Sequence, residues 1–140
     1  MKCAIVLICA LLACAGCASQ APPATTTAPA PVSDPGPGPN TPPTDGATIT
    51  LSASGVSPKQ VRIFQGSRIT FINRDTTDHD IQSDPLHIHS DCPVLNGVDF
   101  IVPGQTRISA PFPDVRACGF HDHLREGDVL FTGTIFVDAR

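Results

Sequence analysis

Apolar and polar residues alternate over short segments through most of the chain after Gly46. In residues 47–53, isoleucine and leucine alternate with threonine and serine, which is typical of a strand with one buried face. Glycine, proline and asparagine separate this segment from those that follow. Further strands are predicted in a shorter segment around Ile81 and at residues 61–64, 68–73, 99–102, 106–110, 115–120 and 129–137.

The spacing of these segments indicates the fold class. The strand-like segments recur about every 8 to 12 residues, and residues 84–97 between two of them resemble a loop. No long window keeps a helical apolar period, apart from the amino-terminal signal. We therefore predict an all-β domain at residues 47–140, built as an antiparallel β-sandwich. A domain of this size has a modest stability margin, which a disulfide or a metal would increase.

The amino terminus has the pattern of an export signal. Lys2 precedes an apolar stretch that is too short to cross a bilayer as a mature helix. The sequence Leu11-Leu12-Ala13-Cys14-Ala15-Gly16-Cys17 resembles a bacterial lipoprotein signal, which is cleaved before a cysteine that carries lipid. Either Cys14 or Cys17 meets this pattern, so residues 1–17 are predicted to be the signal peptide. The alternatives are an ordinary secretory signal or a helix of the fold.

Residues 18–46 are rich in proline, alanine and threonine and contain almost no bulky apolar residue. Such a segment buries too little surface to offset its ordering entropy, so we predict a disordered linker. It would hold the following domain away from a membrane. The predicted localisation is the cell envelope, lipid-anchored, on the periplasmic or another extracytoplasmic face.

Charge and motifs exclude several function classes. The formal net charge is -4, with 9 basic and 13 acidic residues, so no basic patch for nucleic acid or an anionic membrane surface is expected. No Gly-x-Ser-x-Gly elbow and no phosphate-binding glycine loop is present. We predict a monomer that is not an enzyme.

All five histidines lie in two neighbourhoods. His79 follows the predicted strand at residues 68–73 by a short polar loop, and His87 and His89 come soon after it. His121 and His123 follow Cys118 near the carboxy terminus. Because alternate residues of an extended chain point the same way, each His-x-His pair can face one site. We predict a metal site, with nearby aspartates such as Asp78, Asp80 and Asp122 orienting the imidazoles.

The order of several motifs resembles that of the cupredoxin family, the small copper-binding domains related to plastocyanin and azurin. These motifs are Ser57-Pro58-Lys59-Gln60-Val61-Arg62-Ile63, the strand that ends in Asn73-Arg74-Asp75, His79, Pro103-Gly104-Gln105-Thr106, Cys118-x-x-His121 and Gly133-Thr134-Ile135-Phe136-Val137. The resemblance implies a Greek-key sandwich that binds copper and transfers single electrons to a protein partner. It also implies that His79, Cys118 and His121 are ligands. Phe131 stands where that family has an axial methionine.

Cysteine pairing leaves a second ligand set open. Downstream of the predicted signal the chain contains only Cys92 and Cys118, and exported proteins usually pair such cysteines. A disulfide would remove the thiolate, so that the site would be built from imidazoles: His79, His121, His123 and His87 or His89. Copper, or zinc at an all-imidazole site, would then be carried or sequestered. An alternative from another class is a metal-free sandwich that acts as a cell-surface interaction module.

Overall fold

The computed structural model of the protein describes residues 41–140. The predicted signal peptide, the candidate lipid-bearing residues Cys14 and Cys17, and most of the predicted linker lie outside the described residues. Within residues 41–140, no helix has the length and apolar character needed to cross a membrane.

The described chain consists of eight strands and two short 3-10 helices. The order is β1 Thr44–Ser52, β2 Gly55–Ser57, β3 Gln60–Asn73, β4 His79–Ser83, β5 Asp99–Ile101, β6 Thr106–Ile108, β7 Arg116–Asp122, η1 His123–Arg125, η2 Val129–Phe131 and β8 Thr132–Asp138. The all-β prediction and the predicted loop at residues 84–97 are confirmed. β1 begins at Thr44, slightly before the predicted start.

β3 is a single strand of 14 residues where the sequence predicted two. Gln65-Gly66-Ser67 resembles a turn, but Gly66 takes a positive φ of 85° and its amide donates to the carbonyl of Phe112, so the chain bends without ending the strand. Residues before the bend pair with β8, although Ile63 also pairs with Thr44 of β1, and residues after the bend pair with β1 and β6. β3 therefore connects β1 and β6 with β8.

The strand order is β2-β1-β3-β8-β7-β4-β5, with β6 paired to the second half of β3. β3 runs parallel to both β1 and β8, and the other ladders are antiparallel. The sheet is therefore mixed, which corrects the expectation of antiparallel pairing throughout. Parallel neighbours cannot be joined by a tight hairpin, and here β2 intervenes between β1 and β3, while β4 to β7 intervene between β3 and β8.

The two halves of the sheet enclose one apolar core. Phe71 of β3 meets Phe120 of β7 edge to face, with ring centroids 5.7 Å apart. Ile49, Ile69 and Ile135 are completely buried around them. Since tryptophan and tyrosine are absent from the sequence, phenylalanine and β-branched residues fill this space.

The loop between β4 and β5 is fastened to the sheet at several points. The Cys92 amide donates to Ser83 Oγ at 2.7 Å, and the Asn96 side chain accepts from the Ser83 amide and donates to the His89 carbonyl. The Cys92–Cys118 disulfide joins the loop to β7, and it is the one of the two roles left open for Cys118 that the structure contains. Loop and strand therefore form one covalently linked end of the domain.

We predict that the disulfide makes a large contribution to stability. It closes a loop with a sequence separation of 26 residues. The chain-entropy model for this separation gives about 3.5 kcal/mol. The Cys92→Ala/Cys118→Ala variant should lose roughly this free energy of unfolding in urea titration. Wild type with reductant should approach the variant, whereas equal midpoints for wild type and variant would contradict the prediction.

Candidate metal centre

β7 distributes its polar residues to its two faces. Successive side chains of a strand alternate, so His121 points to one face and Asp122 to the other. Asp122 is completely buried on the core side, and His121 is 5% exposed. The strand runs two residues beyond its predicted end, and η1 then begins with His123.

Three imidazoles meet on the outer face of β7. His89 comes from the β4–β5 loop and packs against His121 and His123, with ring centroids 5.2 Å and 5.0 Å away. One nitrogen from each of the three rings lies within 4.8 Å of the other two. We call His89, His121 and His123 the histidine triad.

The triad has the unsatisfied nitrogens that a metal site requires. His89 Nε2, His121 Nε2 and His123 Nδ1 are buried and have no hydrogen-bond partner. Buried polar atoms without partners are rare because each costs free energy. Burial, and then the proximity of His121 and His123, lowers the pKa of His89, which favours its neutral form. A neutral imidazole with an open nitrogen is the form that binds metals.

Carboxylates surround the triad. Asp84 Oδ1 lies 2.8 Å from His121 Nδ1. Glu126 Oε1 lies 3.3 Å from His123 Nδ1 and 3.6 Å from His87 Nδ1. His87 is outside the triad, with a largely exposed side chain, so the structure separates the two members of the His87-x-His89 pair.

His79 lies elsewhere, in a completely buried network on the core side. Its Nδ1 pairs with Asp122 Oδ2 at 2.7 Å, and its ring stacks on Phe131. Arg125 also lies over the Phe131 ring, with Cζ 4.4 Å from the ring centroid, and its guanidinium reaches Asp75 at 3.3 Å. His79 therefore does not join the triad, contrary to the predicted convergence of His79 with His121.

The ligand set that the resemblance implies does not fit this structure. Cys118 is in the disulfide and offers no thiolate. Cys118 also lies four residues before Asp122, the residue that contacts His79. This spacing is roughly 13 Å along a strand, so Cys118 is not beside His79. The group beside His79 is the Asp122 carboxylate, and the nearby Arg125 guanidinium, 3.6 Å from Asp122, would repel a metal cation. The surroundings of His79 are therefore occupied by the Arg125 guanidinium and the Phe131 ring.

The carboxylates were only partly anticipated from the sequence. Asp122 orients an imidazole, but it orients His79 and not a triad member. Asp80 accepts a hydrogen bond from Gln82, and Asp78 is exposed in the preceding loop. Asp84 and Glu126 were not singled out as partners of particular histidines. Asp84 and His121 are 37 residues apart, so no local pattern marks their pairing.

We predict that Asp75 stabilises the network in a pH-dependent way. The Thr76 amide hydrogen bond and the charges of His79 and Arg125 lower its pKa below 3.8, outweighing the opposing effect of burial. A carboxylate with a lowered folded-state pKa stabilises the fold above the unfolded value, and this contribution disappears as pH falls through the folded value. Asp75→Asn should therefore be less stable than wild type at pH 7, with a difference that shrinks below about pH 3.8.

Urea unfolding of both proteins from neutral to acidic pH measures this difference. Asp78→Asn is the matched control, because it changes an exposed aspartate in the same loop. A gap between wild type and Asp75→Asn that stays constant down to acidic pH would contradict the assignment.

Comparison with solved structures identifies the fold. An amicyanin mutant in its Cu(I) form has a TM-score of 0.51 and 13% identity, with 68% of this chain and 84% of amicyanin covered. Auracyanin from the photosynthetic bacterium Roseiflexus castenholzii has a TM-score of 0.50 and 14% identity, with 69% and 99% covered. Oxidised plastocyanin from Dryopteris crassirhizoma has the same score and identity, with 65% and 99% covered.

No family model and no curated protein sequence matches the chain. The identities to the solved structures are low, so the likeness establishes the fold and not the site. Residues 41–140 adopt the cupredoxin fold, with the pairing of β3 to both β1 and β8 described above.

Proposed function

We propose that this protein binds one copper ion at the histidine triad and carries or sequesters it. Two observations carry the proposal: one nitrogen of each of the three triad rings lies within 4.8 Å of the other two, and each ring has a buried nitrogen that makes no hydrogen bond. The fold, shared with amicyanin and plastocyanin, agrees with this. An orphaned nitrogen gains a bond when it coordinates an ion, so the ion relieves a cost that the metal-free fold bears.

The donor set favours copper chemistry without a blue centre. Imidazole suits copper and zinc, and the general affinity order puts divalent copper above zinc. A blue centre requires a thiolate, and Cys118 is bonded to Cys92. We therefore favour carriage or sequestration. One-electron transfer with a protein partner is the second candidate, supported by the fold.

Access to the triad agrees with ion exchange. The His123 side chain is 36% exposed, and Glu126 Oε1 also lies 3.6 Å from Nδ1 of the more exposed His87. A copper site that a partner can reach from one side suits transfer between proteins. The buried His89 and His121 nitrogens would retain the ion meanwhile.

We further propose that the domain is exported and anchored by lipid. The support is the sequence of the amino terminus, where the signal pattern and the proline-rich linker precede the domain. An extracytoplasmic setting also agrees with the disulfide, since thiols are kept reduced in most cytosols.

We predict that Cu(II) stabilises the wild-type protein through the triad. Copper at about 100 times its dissociation constant should add about 2.7 kcal/mol and raise the melting temperature. His121→Ala should weaken binding more than about 100-fold, because even the outer partners of a ligand are worth about 10- to 100-fold. Competition with a chelator of known affinity gives these values.

Two other histidine variants serve as controls. His87→Ala removes an exposed imidazole outside the triad, and His79→Gln changes one in the separate buried network. Both should bind copper, although His79→Gln should be less stable. A melting temperature unmoved by Cu(II) and Zn(II) would favour the metal-free interaction module. An intense thiolate-to-copper absorption band would contradict the all-imidazole site.

We predict that Cys14→Ser/Cys17→Ser releases the exported protein from the membrane fraction. A thioether-linked lipid needs a cysteine sulfur, and these two are the candidates in the signal. Fractionation of cells that express wild type, each single variant and the double variant measures this. The single variant that becomes soluble identifies the lipid-bearing residue, and membrane retention of the double variant would contradict the anchor.

A further inference from the structure

We propose that Asp84 is a positioning residue for the triad and that Gly119 is required to make room for it. The inference deepens the proposed copper site and rests on it. Asp84 would fix the ring of His121 with Nε2 directed at the ion, and Gly119 would let the Asp84 carboxylate lie across β7.

The hydrogen bond between Asp84 and His121 selects one tautomer. Asp84 Oδ1 lies 2.8 Å from His121 Nδ1, and an aspartate carboxylate accepts, so Nδ1 carries the proton. In the neutral ring that would bind a metal, Nε2 is then the nitrogen with the lone pair, and this atom is buried without a hydrogen bond. A carboxylate on the far nitrogen also makes an imidazole a more basic ligand.

His121 is the best-anchored member of the triad. Within residues 41–140, His89 Nε2 and His123 Nδ1 have no hydrogen-bond partner, and Glu126 approaches His123 only at 3.3 Å. The ring of His121 is held by the 2.8 Å hydrogen bond to Asp84, whereas His123 has the longer Glu126 contact and His89 is positioned through its loop. One fixed ligand defines the position at which the ion is bound.

Gly119 is needed for space and not for backbone conformation. Its φ is not positive, unlike that of Gly66, so any residue could adopt its backbone. A Cβ there would overlap Asp84 Oδ2 and would lie 2.9 Å from Asp84 Cγ. The Asp84 amide donates to the Gly119 carbonyl at 3.0 Å, which brings Asp84 directly over this position.

The geometry explains why these residues act together. Gly119 and His121 are alternate residues of β7 and share its outer face. Asp84 comes immediately after the end of β4, whose Gln82 pairs with His121. The Asp84 carboxylate, just beyond the end of β4, therefore lies over Gly119 and contacts the imidazole of His121, two residues further along β7.

The test compares Asp84→Ala, Asp84→Asn and Gly119→Ala in the full chain. Nitrogen NMR of the metal-free protein reports the tautomer of His121, and competition with a chelator reports Cu(II) affinity. Asp84→Ala and Gly119→Ala should mix the two tautomers and weaken Cu(II) binding about 10- to 100-fold. Asp84→Asn keeps an acceptor oxygen without the charge, so the tautomer should persist with a smaller loss of affinity.

Asp99→Asn is the matched control, because it removes the same charge from an exposed residue of β5. It should leave both measurements at wild-type values. Asp84→Asn nearly preserves the side-chain shape, so it tests the charge even if Gly119→Ala does not fold. Equal copper affinity in wild type and Asp84→Ala, or an unchanged His121 tautomer in that variant, would overturn the proposal.

The metal-free measurement separates this inference from the proposed function. If the wild type fails to bind Cu(II) but its His121 tautomer depends on Asp84, the proposed copper site is wrong and the positioning contact stands. If the wild type binds Cu(II) and its affinity does not depend on Asp84, the copper site stands and the positioning role is wrong.

Discussion

The buried carboxylate of Asp122 is the interaction on which this end of the domain depends. It lies 2.7 Å from His79 Nδ1 and accepts hydrogen bonds from the amides of Asp80 and Leu124. These groups come from β4 and from η1, so one side chain joins both elements to β7. A buried charge is tolerated only when it is paired and hydrogen-bonded, and removing one partner of such a pair costs about 3–5 kcal/mol. The arrangement therefore fixes β4 and η1 against β7.

This constraint determines which histidines can meet. With Asp122 held inward, strand alternation sends His121 outward, and the amide contact at Leu124 fixes the start of η1 next to His123. His79 is held inward with Asp122 and shares its surroundings with Arg125 and Phe131. His79 thus lies on the inner face of the sheet, the triad meets on the outer face, and His87 remains exposed in its loop. On the inner face a guanidinium already supplies the positive charge, and on the outer face three buried imidazole nitrogens make no hydrogen bond.

The strands could be predicted from the sequence because their side chains alternate between core and solvent. Contacts between residues of different strands and loops were harder to predict from the sequence. Gln65-Gly66-Ser67 has the composition of a turn, yet the contact of Gly66 with Phe112 keeps β3 continuous. The clustering of histidines could be predicted from their spacing, but the exclusion of His79 depends on Arg125 and Asp75, which approach from separate segments. Likewise, the need for glycine at 119 comes from Asp84, and its own neighbours in sequence do not reveal it.

The loop that carries His89 shows how the triad is held ready. His87 and His89 both have positive φ values, of 68° and 54°. Such conformations are uncommon for residues other than glycine, and they persist where surrounding contacts enforce them. Here the Pro85 carbonyl accepts from the His89 amide, Asn96 holds the His89 carbonyl, and the disulfide secures Cys92 three residues further on. A relaxed loop would place the His89 ring elsewhere, so these contacts maintain a locally unfavourable backbone that brings its nitrogen to His121 and His123. Backbone strain of this kind, beside imidazoles that each have a buried nitrogen without a hydrogen bond, is what a preorganised binding site requires, and it supports the proposed role of the triad.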